Sequence, residues 1–234
     1  MASPSTIPQM SRTASPAEPL STTRRLLAAG VVAGPLFVVT VVAQALTRDG
    51  FDLGRHPASM LSLGELGWIQ VTNFVVTGLL TVIFAIAVRR SLRDGPGARL
   101  GPLLLAAFGS GLVVAGAFVG DPAFGFPPGA PEGVPDTLSL HAVLHGVGFT
   151  IAFLSVSGAC LVFARRFFAA GDRGWAAYSI ATAAIGTGLS MIPGQDGASV
   201  RYFIASVLVL AWVSALAIKV GGEAGRTTEP RVAP

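Results

Sequence analysis

Long apolar segments dominate this sequence and restrict the kinds of fold that are open to it. A helix needs about 20 apolar residues to cross the hydrocarbon core of a bilayer. Six segments approach or reach that length: 26–46, 66–88, 100–119, 140–163, 175–192 and 202–220. Only 12% of the residues are charged, whereas a soluble domain carries about a quarter. The sequence therefore predicts an all-α, polytopic membrane bundle of six transmembrane helices, with the lipid bilayer as its surroundings.

Polar segments lie at both ends of the chain, on either side of the apolar segments. Residues 1–23 are mostly Ser, Thr, Pro and Ala, a composition that buries too little apolar surface to offset the entropy of ordering. We predict a disordered cytoplasmic tail over 1–23, a transmembrane domain over 24–220 and a second cytoplasmic tail over 221–234. A cleaved signal peptide is the alternative for the first apolar segment, because Ala43-Gln44-Ala45 resembles a cleavage site. That segment is longer than the usual apolar run of about 7–15 residues.

The basic residues predict how the bundle is oriented, because cytoplasmic loops of membrane proteins are enriched in Lys and Arg. With both termini in the cytoplasm, only Arg48, Arg55 and Arg201 of the 16 basic residues lie outside. This distribution predicts a multi-pass plasma-membrane protein. Since the arginines flank apolar segments instead of forming one basic face, the net charge of +4 does not indicate nucleic acid as a partner.

The same topology gathers polar residues on the outer side of the membrane. All three histidines lie there, and Asp121 follows the third apolar segment. Polar side chains at membrane depth usually face the bundle interior or a wet cavity. The segment 125–135 is rich in Pro and Gly and predicts a stiff, irregular lid. The predicted outward-facing polar pocket consists of His56, Ser59, Asn73, Asp121, His141 and His145.

Three interpretations of the histidines are open. His141 and His145 are four residues apart and share one face of a helix, a spacing that allows two imidazoles to bind zinc. His56 and Asp121 would complete the ligand shell, and the zinc would convert a bound water into a hydrolytic nucleophile. Alternatively, the histidines form hydrogen bonds at the membrane interface without binding a metal. The third interpretation is a metal-free role in ligand binding or proton transfer.

A pattern of short motifs runs along the chain. His56-Pro57-Ala58-Ser59 precedes the second apolar segment, Asn73-Phe74 and Gly78 lie within it, Asp121-Pro122 follow the third, and the fourth opens on Ser139-Leu140-His141 through His145-Gly146. In this order they resemble the domain of unknown function 998 family of bacterial integral membrane proteins, over roughly residues 26–220. The resemblance implies a six-helix membrane protein and brings no established activity. The set of three histidines, an aspartate and a serine is also similar to that of the ceramidase and progestin-receptor-like membrane hydrolases. Those proteins have seven spans and carry their paired histidines on the last one.

We expect the outward-facing pocket to bind a lipid headgroup or a small molecule. A metal-dependent membrane-embedded hydrolase and a small-solute transporter are the alternatives. Transporters commonly carry charged residues within their spans and internal repeats, whereas this sequence has no charged residue at the centre of a span and no evident repeat. The single cysteine, Cys160, excludes an intramolecular disulfide.

Overall fold

The computed structural model describes residues 18–192 and 197–226, and the side chains of residues 22–192 and 197–223. The described residues form six α-helices and one short 3-10 helix, Ala58–Ser62, and contain no β-strand. The all-α prediction is confirmed. The helices are α1 Glu18–Thr47, α2 Gly67–Ser91, α3 Leu100–Ala117, α4 Leu140–Ala169, α5 Arg173–Met191 and α6 Ala198–Arg226.

Five of the six helices are long and apolar enough to cross a membrane, by length and composition. The chain is therefore a multi-pass membrane protein. The remaining helix, α5, has 19 residues and would be about 28 Å long at 1.5 Å per residue, close to the roughly 30 Å of a bilayer core. It contains several Gly, Ser and Thr residues, which lower its mean hydropathy.

The helices extend beyond the predicted apolar segments at both ends of the chain. Helix α1 begins at Glu18, so residues 18–23 are helical and do not belong to a disordered tail. Proline is tolerated in the first turn of a helix because its missing N–H would have no partner there, and Pro19 occupies such a position. Helix α6 continues to Arg226, past the predicted end at residue 220. The rest of the two predicted tails, 1–17 and 227–234, lies outside the described residues.

The six helices form a ring in which each helix packs on the preceding one and α6 closes on α1. Helices α2, α3 and α4 approach backbone to backbone at pairs of glycines. A Cβ atom added to Gly78 would lie 2.5 Å from the carbonyl oxygen of Gly109, and one added to Gly111 would lie 2.7 Å from that of Gly148. This confirms that the small residues of α3 allow close helix packing, which in lipid replaces the hydrophobic effect as the source of association.

The ring has two chemically different ends. The basic end comprises residues 91–100 and 169–173 with the start of α1 and the end of α6; there Lys219 Nζ lies 2.7 Å from Asp172 Oδ2. The histidine end comprises residues 47–67 and 117–140 with the adjoining helix turns. In the half of the ring nearer the basic end, the buried side chains of Phe84, Phe163 and Trp212 fill the centre. The other half is less completely filled.

Candidate functional site: a cavity at the histidine end

A cavity of about 290 Å³ lies inside the ring near the histidine end. Helices α1, α2, α3, α4 and α6 form its walls, and the chain before and within the 3-10 helix contributes residues 57–59. The walls are predominantly apolar and aromatic, and the described residues that line them include no acidic residue, lysine or arginine. The aromatic members are Phe37, Phe74, Phe108, Phe149, Phe153, Tyr202 and Phe203, and the polar ones are Ser59, His145, Tyr202 and Ser206.

Helices α4 and α6 meet beside this cavity through their aromatic side chains. The rings of Phe149 and Tyr202 are 5.8 Å apart in an edge-to-face arrangement, and Phe149 also contacts Phe153. Gly146 lines the cavity, and a Cβ atom added there would meet nothing within 4 Å. The space next to Gly146 is therefore open to a larger side chain.

His145 is held by the end of α3. Its Nδ1 lies 2.8 Å from the carbonyl oxygen of Ala115 and 2.9 Å from that of Phe118. Two carbonyl oxygens can only accept, so Nδ1 carries a proton and donates it. These carbonyls belong to the last turn of α3, where backbone oxygens lack helical partners. His145 thus caps α3 from the side while its ring forms part of the cavity wall.

His56 is buried in the loops above the cavity. Its Nδ1 accepts the backbone N–H of Asp52 at 2.9 Å, which leaves the ring proton on Nε2. Nε2 lies 3.0 Å from the carbonyl oxygen of Phe124 and donates to it. Both ring nitrogens are therefore occupied by backbone groups, and His56 joins the loop 48–66 to the loop 118–139.

The loop 118–139 is folded onto the loop 48–66. The ring of Phe126 is buried and contacts Phe51 and His56. The guanidinium of Arg48 lies 5.5 Å from the centre of the same ring and donates to the carbonyl oxygens of Leu61 and Leu63. The two loops thus share a small apolar core held by a buried imidazole and a cation–π contact.

Asp121 and His141 lie at the start of α4. Asp121 Oδ2 accepts the backbone N–H of Ser139 at 2.8 Å, and the Ser139 hydroxyl in turn accepts the N–H of Ala142 at 3.1 Å. Hydrogen bonds from the Ser139 hydroxyl and backbone N–H lower the pKa of Asp121. His141 is exposed and contacts the ring of Phe118 edge-on. Asp121 and Ser139 thus organise the first turn of α4.

Asn73 belongs to a buried cluster of amides between α1 and α2, which we call the amide cluster: Gln44, Gln70 and Asn73. Gln70 Oε1 accepts from Gln44 Nε2 at 2.9 Å and from Asn73 Nδ2 at 3.2 Å. Asn73 Nδ2 also lies 3.2 Å from the carbonyl oxygen of Phe37. Gln44 Oε1, Gln70 Nε2 and Asn73 Oδ1 are buried without a hydrogen-bond partner in the described part of the chain. Phe37 and Phe74 line the cavity and their rings are 5.4 Å apart, whereas the three amides do not line it.

The structure thus divides the six predicted pocket residues among separate environments. Ser59 and His145 line the cavity, and His56 lies above it. Asn73 belongs to the amide cluster, and Asp121 and His141 lie at the start of α4. Among the residues that the structure describes, there is no group of three or more His, Cys, Asp or Glu side chains that could hold a metal ion.

Sequence reasoning missed the aromatic wall and the role of Gln44. Phe149, Phe153 and Phe203 lie in segments that are apolar on every side, so no periodicity distinguishes a cavity-facing ring from a lipid-facing one. Gln44 was detectable, because an uncharged polar residue late in an apolar segment requires a partner. The matching residue was Gln70 on the next helix.

One comparison with known proteins bears on this site. The model of the family described as a protein of unknown function (DUF998) matches residues 31–219, which include every cavity-lining residue and the whole amide cluster. No curated protein and no solved structure matches the chain.

Proposed function

The chain belongs to the DUF998 family, and we propose that it is a plasma-membrane protein that crosses the bilayer six times and binds an uncharged, largely apolar ligand in the cavity beside His145. The ligand is a lipid or a lipid-like small molecule. The observation that carries this proposal is the chemistry of the cavity wall, which combines seven aromatic rings with one imidazole and three hydroxyl groups.

The size and polarity of the cavity favour such a ligand over a charged headgroup. Ligand sites typically enclose roughly 300–1,000 Å³ and are lined mainly by apolar and aromatic side chains. A charged headgroup would lose its hydration in this cavity without gaining an ion pair from the described lining residues. An apolar body would instead exchange water or lipid contact for close aromatic contact. The apolar part of a lipid therefore fits better than the headgroup expected from the sequence.

The position of α5 supports six crossings. Helix α5 packs on both α4 and α6, so it takes the place in the ring that returns the chain to the histidine end. Asp172 caps the start of α5 at the basic end, and its Oδ2 accepts a hydrogen bond from Lys219 Nζ of α6. The basic residues cluster at the opposite end from the cavity, and Lys and Arg favour the cytoplasmic side. With both termini in the cytoplasm, the histidine end faces outward.

The zinc hydrolase has weaker support. As a ligand, His56 would have to give up the Asp52 N–H or the Phe124 carbonyl, and His145 Nδ1 is occupied by α3. Zinc binding through His56, Asp121, His141 and His145 stays a prediction, as does small-solute transport. Neither has a supporting observation comparable to the cavity in the described part of the chain.

Photoaffinity labelling in lipid nanodiscs tests the proposed binding. The probe is decane carrying a photoreactive diazirine group. We expect label on Phe149, Phe153 and Tyr202, above the level on Leu154, which is exposed on the outer surface of α4.

A pair of glycine variants makes this test specific. Gly146→Leu places a side chain into open space beside the cavity and should reduce label on Phe149 and Phe153 severalfold. Gly188→Leu is the matched control, because an added Cβ atom there also meets nothing within 4 Å but the residue does not line the cavity. Equal labelling of wall and outer-surface residues, unchanged by Gly146→Leu, would refute the proposal.

A further inference from the structure

His145 lines the cavity, and among the described residues no hydrogen bond engages its Nε2. Its Nδ1 proton is fixed by the carbonyl oxygens of Ala115 and Phe118. When the imidazole is neutral, this is its one proton, so Nε2 then has only a lone pair and can only accept. The ring is also held edge-on to Phe74 at 6.2 Å, which fixes its orientation in the wall.

The other polar groups of the wall complement this acceptor. The Ser206 hydroxyl donates to the carbonyl oxygen of Tyr202 at 2.8 Å, so its proton is used within α6. The Ser59 and Tyr202 hydroxyls can each donate or accept. His145 thus contributes an acceptor of fixed orientation, whereas the Ser59 and Tyr202 hydroxyls can rotate to suit a ligand.

We infer that the ligand bound beside His145 is a lipid alcohol, an uncharged apolar molecule whose hydroxyl group donates a hydrogen bond to Nε2. This inference rests on the proposed function, since it specifies the class of molecule that the cavity takes. A ketone, ester or ether oxygen would place a lone pair against the lone pair of Nε2. A carboxylate or phosphate would do the same and would also lack a counter-charge in the wall.

The volume of the cavity sets the size of the part of the ligand that enters it. About 290 Å³ corresponds to about ten water-sized groups at roughly 30 Å³ each. A chain or ring system of about ten carbons with one hydroxyl would fill this space, and any longer apolar portion would extend past Gly146. A ten-carbon alcohol is therefore a suitable probe.

Nitrogen-15 NMR of the histidine side chains measures the proposed hydrogen bond directly. The protein is labelled, placed in lipid nanodiscs at about pH 8.5 so that free imidazole is neutral, and mixed with 1-decanol or with 1-methoxydecane, its methyl ether. Accepting a hydrogen bond moves an unprotonated imidazole nitrogen upfield. We expect 1-decanol to move the Nε2 signal of His145 and the ether to leave it unchanged, with the His56 signals as an internal control.

Competition with the photoreactive decane separates this inference from the proposed function. The quantity compared is the ratio of the ether concentration to the 1-decanol concentration that displaces half of the label. This ratio should be about 2- to 10-fold higher in the wild type than in the His145→Phe variant. That range is the change in affinity that corresponds to the net free energy of one neutral hydrogen bond. Comparison with His145→Phe removes the difference in how the two compounds partition into the bilayer. If that variant does not fold, the wild-type NMR signal decides.

Each result has a distinct meaning. If both compounds displace the label equally well and neither moves the Nε2 signal, the lipid-alcohol inference is wrong while cavity binding stands. If neither compound displaces the label and Gly146→Leu does not reduce it, the proposed function fails, and the inference fails with it.

Discussion

Three histidines at one end of the ring have three different roles, set by the partners of their ring nitrogens. His56 uses both nitrogens to join two loops. His145 uses only one, on α3, and lines the cavity. His141 is exposed and contacts only the edge of Phe118 among the described contacts. The residue type alone does not distinguish a structural imidazole from one that is available to a ligand.

We predict that His56→Ala destabilises the protein. His56 is 3% exposed, and its removal leaves the Asp52 N–H and the Phe124 carbonyl without their partner. The expected loss is about 1–3 kcal/mol in the free energy of unfolding, measured by denaturant unfolding in detergent. His141→Ala, at an exposed site, should change it by less than about 0.5 kcal/mol. Equal effects of the two substitutions would contradict the assignment.

The capping role of Asp121 predicts a pH dependence. Hydrogen bonds from Ser139 hold the pKa of Asp121 below its ordinary value, so the folded state favours the ionised carboxylate. This contribution is fully present above the unfolded pKa, about 3.9. It is lost as the pH falls from there through the lower folded pKa.

Unfolding curves recorded between about pH 5 and pH 3 would reveal this contribution. The wild type should be more stable than Asp121→Asn at the upper limit, and the difference should shrink as the pH falls. Asp136→Asn, at an exposed position of the same loop, serves as the control for the change in charge. A gap between wild type and Asp121→Asn that is independent of pH would argue against an ionised cap.

The amide cluster joins α1 to α2 inside the bundle. Its three side chains are each at most 5% exposed, and lipid offers no water to an unpaired amide. The hydrogen bonds between them therefore fix the rotation of the two helices relative to each other. A cluster in which only some of the amides are paired destabilises the protein more than an apolar interface would, because each unpaired buried group keeps its desolvation penalty.

A set of leucine substitutions tests this account. Gln70→Leu removes the acceptor shared by Gln44 and Asn73 and should destabilise the protein by about 1–3 kcal/mol. Replacing all three residues by leucine should cost less than this single substitution, because no amide is left unpaired. Unfolding in mixed micelles measures both, with Thr72→Leu on the exposed face of α2 as the control. A triple variant less stable than Gln70→Leu would show that the hydrogen bonds are net stabilising.

Helix positions were predictable from the sequence, but the directions in which their residues face were not. Each of the six predicted segments coincides with one helix over its central part, although α1 begins eight residues before the predicted start at residue 26. Likewise, α4 ends six residues after the predicted end at residue 163. His141 and His145 were expected to share one environment because they share a helix face. In the structure α3 ends at Ala117, so its last carbonyls are within reach of His145, whereas His141 extends past them. Such differences depend on where a neighbouring helix ends, which the local sequence does not encode.

The ring as a whole explains why the cavity lies where it does. Glycine contacts bring α2, α3 and α4 together, while α4 and α6 meet through the Phe149 and Tyr202 rings at the histidine end. Large side chains such as Trp212 fill the centre toward the basic end. The remaining space opens beside Gly146. The orientation of the ring in the membrane then decides to which side of the bilayer the cavity lies closer.

Thiol labelling of whole cells tests both the proposed orientation of the histidine end and the proposed six crossings. In a Cys160→Ala background, single variants His141→Cys, Arg93→Cys and Gly222→Cys are exposed to a membrane-impermeant maleimide. We predict that His141→Cys reacts in intact cells, and that Arg93→Cys and Gly222→Cys react only after permeabilisation. Labelling of Gly222→Cys in intact cells would reduce the crossings to five, and labelling of Arg93→Cys in place of His141→Cys would reverse the orientation and contradict an outward-facing cavity.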